Sequence, residues 1–253
     1  MQIAAGECAA VVGAGGKTSL CWLLARELLA RGERVIFTTT THIRRPQPGA
    51  FDRIAIGGDP ESALADDGWR SACIAADIDG APDDTPLDDS LMPIVHTRLA
   101  GYSAAQVCNL YQSISKLQSP VSLIVEADGA RGLLLKAPAD YEPAIPACVT
   151  TVCVVASLDC LGQPLDERVA HRPQRIAALT GARIGEPITP QLVADVLAHP
   201  RGGLKGIPPA ARRVAVLTQR DGQAAHSGAA DIIAGLLARG YDRAVMLSPR
   251  TET

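Results

Sequence analysis

The run Ala10-Val11-Val12-Gly13-Ala14-Gly15-Gly16-Lys17-Thr18-Ser19 carries the strongest local signal in the chain. Apolar residues lead into three glycines, then a Lys-Thr pair, then a helical pattern. Glycines let backbone N–H groups turn inward around an anion with no Cβ in the way. A helix starting there adds unpaired donors and a positive dipole end. In this reading Gly13, Ala14, Gly15, Gly16, Lys17, Thr18 and Ser19 hold nucleotide phosphates. Lys17 reaches the β and γ phosphates as a point charge, and the Thr18 hydroxyl ligates magnesium. The competing reading is a glycine-rich turn with a solvent-facing lysine.

The full phosphate-loop pattern places its first Gly where this chain has Val11. The shortened loop resembles the one in the Mur ligases, which also bind ATP. Working outward from it, short apolar runs alternate with helical patterns. Strands are predicted at 9–12, 35–39, 54–56, 121–126, 151–156, 214–218 and 244–247. Helices are predicted near 17–31, 103–117, 173–180, 190–198 and 229–239. This alternation predicts an α/β protein, a three-layer phosphate-loop NTPase-like fold with a mostly parallel sheet and helices on both faces. We expect one domain over residues 1–253. The Asp-rich stretch 77–89 reads as a solvated acidic loop. The Gly- and Pro-rich region after it suggests a helical subdomain over 160–210.

The strand Val121–Val125 ends in Glu126 and Asp128. Two residues apart on an extended strand, both carboxylates point to one side. Such a pair is costly unless a cation lies between them. Magnesium or Lys17 is the natural partner, and Lys17, Glu126 and Asp128 form the candidate catalytic set. Thr18, Glu126 and Asp128 are the candidate metal ligands, with either acid able to make the contact. The alternative is a pair of acids capping the next loop.

The second strand runs out in Thr38-Thr39-Thr40-Thr41-His42, followed by Arg44 and Arg45. Four threonines pack poorly in a buried sheet unless hydroxyls find partners. Loops after parallel strands gather on one edge, where ligands bind. Thr40, His42, Arg131, Lys136, His171 and Arg172 are therefore candidate substrate-binding residues, with the cations forming a basic rim suited to an anionic second substrate. Each charge alone reads more readily as a solvated surface group, so the reading rests on their shared edge. Thr218-Gln219-Arg220-Asp221 is a distant echo of the N-K-x-D element that reads guanine, which makes Asp221 a candidate base contact.

Composition narrows the classes. Hydrophobic residues make up 47% and charged residues 20%, the balance of a globular chain. The net charge of −3 and 3% aromatics argue against nucleic-acid binding. No apolar run approaches the roughly 18 residues of a membrane span, and no secretory signal is predicted. The seven cysteines lack metal-ligand spacing and read as reduced thiols of a cytoplasmic protein.

The motifs together resemble the YqeC family, described as selenium-dependent molybdenum hydroxylase accessory proteins. The resemblance rests on Val12–Thr18, Thr38–His42 and Val125–Gly132. It continues through Leu135–Pro138, Tyr141–Pro146, Leu161–Leu165, His171–Pro173 and His199–Gly206, in order along residues 7 to 250. At Thr218–Asp221 the chain departs from the Asn-containing form. The resemblance implies an ATP- or GTP-dependent, magnesium-dependent accessory role in maturing the cofactor of molybdenum hydroxylases. Implied partners are a molybdenum–pterin cofactor or a selenium donor, and the apo-hydroxylase. Other readings are a nucleotide-switched chaperone or carrier, a small-molecule kinase, and a non-catalytic protein that keeps the loop for an anion.

Overall fold

Residues 8–12 alternate between two apolar layers, as a strand buried on both faces must. Ala9 and Val11 pack with Leu20, Leu24 and Leu28. Cys8, Ala10 and Val12 join the opposite layer, with Leu110, Val196 and Ile232. This is seen in a computed structural model, which describes residues 3–47, 49–64, 68–79, 98–219 and 228–247.

The chain opens with β1 (Cys8–Gly13), α1 (Lys17–Ala30), β2 (Arg34–Thr39), β3 (His42–Arg44) and β4 (Arg53–Ile56). It continues through β5 (Ser71–Ala75), β6 (Asp77–Asp79), β7 (Arg98–Ala100), α2 (Ala104–Ile114) and β8 (Val121–Glu126). Then come β9 (Leu135–Lys136), β10 (Thr151–Ser157), β11 (Ala170–His171), α3 (Pro173–Thr180) and α4 (Pro190–Ala198). It closes with β12 (Arg212–Thr218), α5 (Ala229–Leu237) and β13 (Arg243–Leu247).

Eight strands form one sheet in the order β13-β12-β10-β1-β8-β2-β5-β4. Every neighbouring pair in it is parallel. Helix α1 covers one face, and α2, α3, α4 and α5 pack over the other. The three-layer α/β reading therefore holds. β1 is central, with β8 on one side and β10 on the other. From β1 the chain moves toward β2, β4 and β5. It returns through β8, then crosses β1 to β10, β12 and β13. The loops after β1 and β8 thus emerge side by side at a reversal of strand order, where open parallel sheets bind ligands.

The predicted strands all exist, most of them a residue or so longer than expected. β5 was not predicted. Neither was the antiparallel sheet β3-β7-β6 nor the two-stranded parallel pair β11-β9. The acidic stretch begins as strand β6 rather than loop, and its residues 80–89 lie outside the described residues. In the 160–210 region, α4 packs against α3, α5 and β10. No helix among the described residues is long and apolar enough to cross a membrane.

Candidate functional site

Gly13, Gly15 and Gly16 all take positive φ, at 99°, 75° and 111°. At two of them sterics also exclude a side chain. A Cβ on Gly13 would stand 2.2 Å from the Val155 carbonyl oxygen, and one on Gly15 would stand 2.6 Å from Ser157 Cβ. The loop is pressed onto the end of β10. Ala14 N–H donates to Val155 O at 2.9 Å, and the Thr218 hydroxyl donates to Gly15 O. Helix α1 starts at Gly16 with no side-chain cap and no acid in its first turn. By contrast, Ser103 caps α2 in a capping box with Gln106, and Thr189 caps α4. The first N–H groups of α1 are left for another acceptor, as an anion site needs.

Lys17 points inward, against the reading of a solvent-facing lysine. It is 6% exposed, and its ammonium donates to Gly13 O at 3.0 Å. The same group lies 3.4 Å from Asp128 Oδ1 and 3.9 Å from Glu126 Oε1. The Thr18 hydroxyl donates to Glu126 Oε2 at 2.8 Å. Asp128 Oδ2 accepts the Gly13 N–H at 3.1 Å and pairs with Lys136 at 3.0 Å. Asp128 Oδ1 is buried with no hydrogen bond among the described residues. Burial pushes the Glu126 carboxyl up, against the pull of Lys17 and the Thr18 hydroxyl, with Asp128 pushing the same way as burial.

Two cations of the predicted rim, Lys136 and Arg172, lie in a network neutralised by carboxylates. Lys136 sits on β9 beside His171 of β11. It bridges Asp128 and Glu142, the latter at 2.8 Å. Arg172 grips Glu142 through two nitrogens at 2.8 and 3.1 Å. Burial alone would raise the Glu142 carboxyl, but the hydrogen bonds from Arg172 and Lys136 outweigh it and bring it down to about 2. His171 is held below its usual range, first by burial and then by Arg172 and Lys136. It stays neutral near pH 7, and its Nδ1 is buried without a hydrogen bond among the described residues. Arg131 is exposed, on left-handed backbone at φ 53°.

The threonine run is mostly spent on the frame. The Thr38 hydroxyl donates to Ile74 O at 2.9 Å, Thr39 to Glu126 O at 2.7 Å, and Thr40 to Ala144 O at 2.8 Å. Thr40 thus ties β2 to the 139–146 loop. His42 is exposed at the start of β3. Ser19 is exposed in the first turn of α1. Asp221, the candidate base contact, lies outside the described residues, and Thr218 serves the glycine loop instead.

Three participants went unassigned in the sequence. Glu142 joins Lys136 to Arg172, and its only sequence signal is its place in the run Tyr141–Pro146. Gly202 and Gly203 help close a cavity of about 10 Å³ behind Gly13, Asp128 and Lys136, room for about one water. Oxygen donors dominate the centre. Among the described residues no three His, Cys, Asp or Glu side chains are grouped to hold a metal unaided. Magnesium fits such a set only when phosphate oxygens and water complete its shell, which is its usual habit.

The comparisons bear on the same residues. The family model described as YqeC protein matches residues 9–174. A curated protein of Escherichia coli (strain K12), described as "Uncharacterized protein YqeC", is 32% identical over 209 residues, covering 81% of this chain and 72% of its own. No solved structure matches.

Proposed function

The chain belongs to the YqeC family, and from that premise we propose that it binds ATP or GTP with magnesium and acts in maturing the cofactor of molybdenum hydroxylases. The observation that carries the proposal is the convergence of Lys17, Thr18, Glu126 and Asp128 on a glycine loop that opens at the end of β1. Lys17 is the charge for the phosphate tail. Its present partners are a carbonyl and two acids, so it is already desolvated and needs little reordering to serve. Thr18 and Glu126 share a hydrogen bond and form the metal side of the site. Asp128, engaged by Lys136 and the Gly13 N–H, positions Lys17. Magnesium, when bound, supplies neutralisation of phosphate charge. Arg131 and the neutral His171 face the second ligand, which we assign to an anionic molecule such as a phosphorylated pterin or a selenium donor.

A second reading, a nucleotide-switched carrier that docks on the apo-hydroxylase, draws support from one feature. Thr39 and Thr40 couple β2 to Glu126 and to the 139–146 loop, so a change at the acids would reach both. Turnover separates the readings: an enzyme consumes nucleotide with a small acceptor alone, and a switch needs the partner protein. The first test is a thermal-shift panel of ATP, GTP and CTP with and without magnesium. A nucleotide at a hundred times its dissociation constant adds about 2.7 kcal/mol. We expect ATP or GTP with magnesium to raise the melting temperature. A flat panel contradicts the proposal.

A further inference from the structure

Among the described residues, only two other than glycine take left-handed backbone, and both are arginines: Arg131 at φ 53° and Arg172 at φ 63°. A Cβ makes that conformation costly, and it persists where something holds it. For Arg172 the holder is visible. Its guanidinium grips Glu142 through two nitrogens, and its backbone opens α3. Arg131 shows no such holder. It is exposed, and no hydrogen bond or ion pair engages its side chain among the described residues. Its place is a tight turn. The Leu133 N–H donates to Ala130 O at 3.0 Å, and Gly132 follows Arg131 at φ 74°. Two central residues of positive φ make a type I′ turn, which ordinarily begins with Asn, Asp or Gly. A charge needed only for solvation would not call for this strain, since Asn makes the same turn more easily.

The turn is fixed against the glycine loop at both of its roots. After it, the Leu134 N–H donates to Val169 O and Leu134 O accepts the Ser157 N–H, both at 2.9 Å. That same carbonyl would stand 3.0 Å from a Cβ on Gly15. Before it, Ala130 and Asp128 are buried, and Asp128 Oδ2 accepts the Gly13 N–H. On its outer side the turn is open, because a Cβ on Gly132 would meet nothing within 4 Å. We propose that Arg131 contacts the terminal phosphate of the nucleotide held by the glycine loop, so that the site selects a nucleoside triphosphate over its diphosphate. The inference rests on the nucleotide reading above and adds a specificity-determining residue to it. Lys17 meets the phosphate tail from inside the loop, and Arg131 meets it from the solvent side. A guanidinium presents paired donors that match phosphate oxygens. A turn anchored at both roots orients that group in advance, so less freedom is lost on binding. The diphosphate lacks the oxygens that Arg131 reads.

The test measures affinities by isothermal titration in the presence of magnesium. The ligands are ADP, GDP and their non-hydrolysable imido triphosphate analogues, and the proteins are the full chain, Arg131→Asn and Arg131→Lys. Asn suits the left-handed turn, so the melting temperature of Arg131→Asn should stay level or rise. Its affinity for the triphosphate analogue should fall about tenfold or more, with diphosphate affinity unchanged. Arg131→Lys keeps the charge without the paired donors and should fall between the two. A triphosphate-to-diphosphate affinity ratio that is the same in the wild type and in Arg131→Asn overturns the proposal and leaves the nucleotide reading standing. A wild type that binds neither kind of nucleotide contradicts the nucleotide reading itself, and the role of Arg131 falls with it.

Discussion

Gly13 is the residue on which the loop turns. Its φ of 99° and the 2.2 Å approach to Val155 O leave no place for a methyl group. Gly13→Ala should therefore destabilise the chain by about 3 kcal/mol or more, through strain and a backbone clash together. Urea denaturation checks this, and an unchanged midpoint would show that the loop does not press on β10. Glu142 sets a pH dependence. The unfolded chain takes up a proton there near the ordinary 4.5, whereas the folded chain resists until about 2. The stabilisation is thus complete above about pH 4.5, declines as pH falls through that window, and is gone below about 2. Glu142→Gln should lower stability at neutral pH and flatten the profile in that acid range. Equilibrium denaturation at a series of pH values reads both effects. A slope unchanged by the substitution would mean that Lys136 and Arg172 do not hold this carboxylate.

At the scale of elements, the strand and helix plan could be read from periodicity because the central strands are long, apolar and β-branched. β5 escaped because Ser71–Ala75 holds a single β-branched residue among small ones, and its burial comes from its neighbours in the sheet. β9 and β11 are two residues each, too short for any pattern. The acids and the glycine loop were legible because spacing along one strand fixes their direction. Glu142 was not, since Lys136 and Arg172 reach it from other segments of the chain. Thr40 is read from the sequence as a substrate contact, yet it, Thr38 and Thr39 all donate to backbone carbonyls. The sequence shows that such hydroxyls need partners, but not which ones. Thr39 also accepts the Thr41 N–H at 3.0 Å, so it braces β2 against β8 at Glu126. Thr39→Val keeps the shape and strands the Thr41 N–H, while Glu126 O keeps the N–H of Thr40 and loses the hydroxyl. It should cost about 2 kcal/mol and weaken magnesium–nucleotide binding by displacing Glu126. Calorimetric unfolding with a parallel titration tests it, and wild-type affinity would separate the brace from the site.

Across the whole molecule, the eight parallel strands bring the loops after β1 and β8 to one edge. The phosphate-loop assignment underlies the functional account, and Lys17 is the group that it cannot do without. Removing the ammonium leaves Glu126 and Asp128 facing each other, which adds repulsion to the loss of the phosphate contact. The direct measurement is isothermal titration of ATP and GTP with magnesium into the wild-type chain and into Lys17→Ala, with circular dichroism confirming that both are folded. The account predicts saturable binding to the wild type by at least one nucleotide, weakened about a hundredfold or more in the variant, since a charge-assisted contact of this kind is worth up to about 3 kcal/mol. Equal affinity in two folded proteins, or no heat from either nucleotide with the wild type, contradicts it.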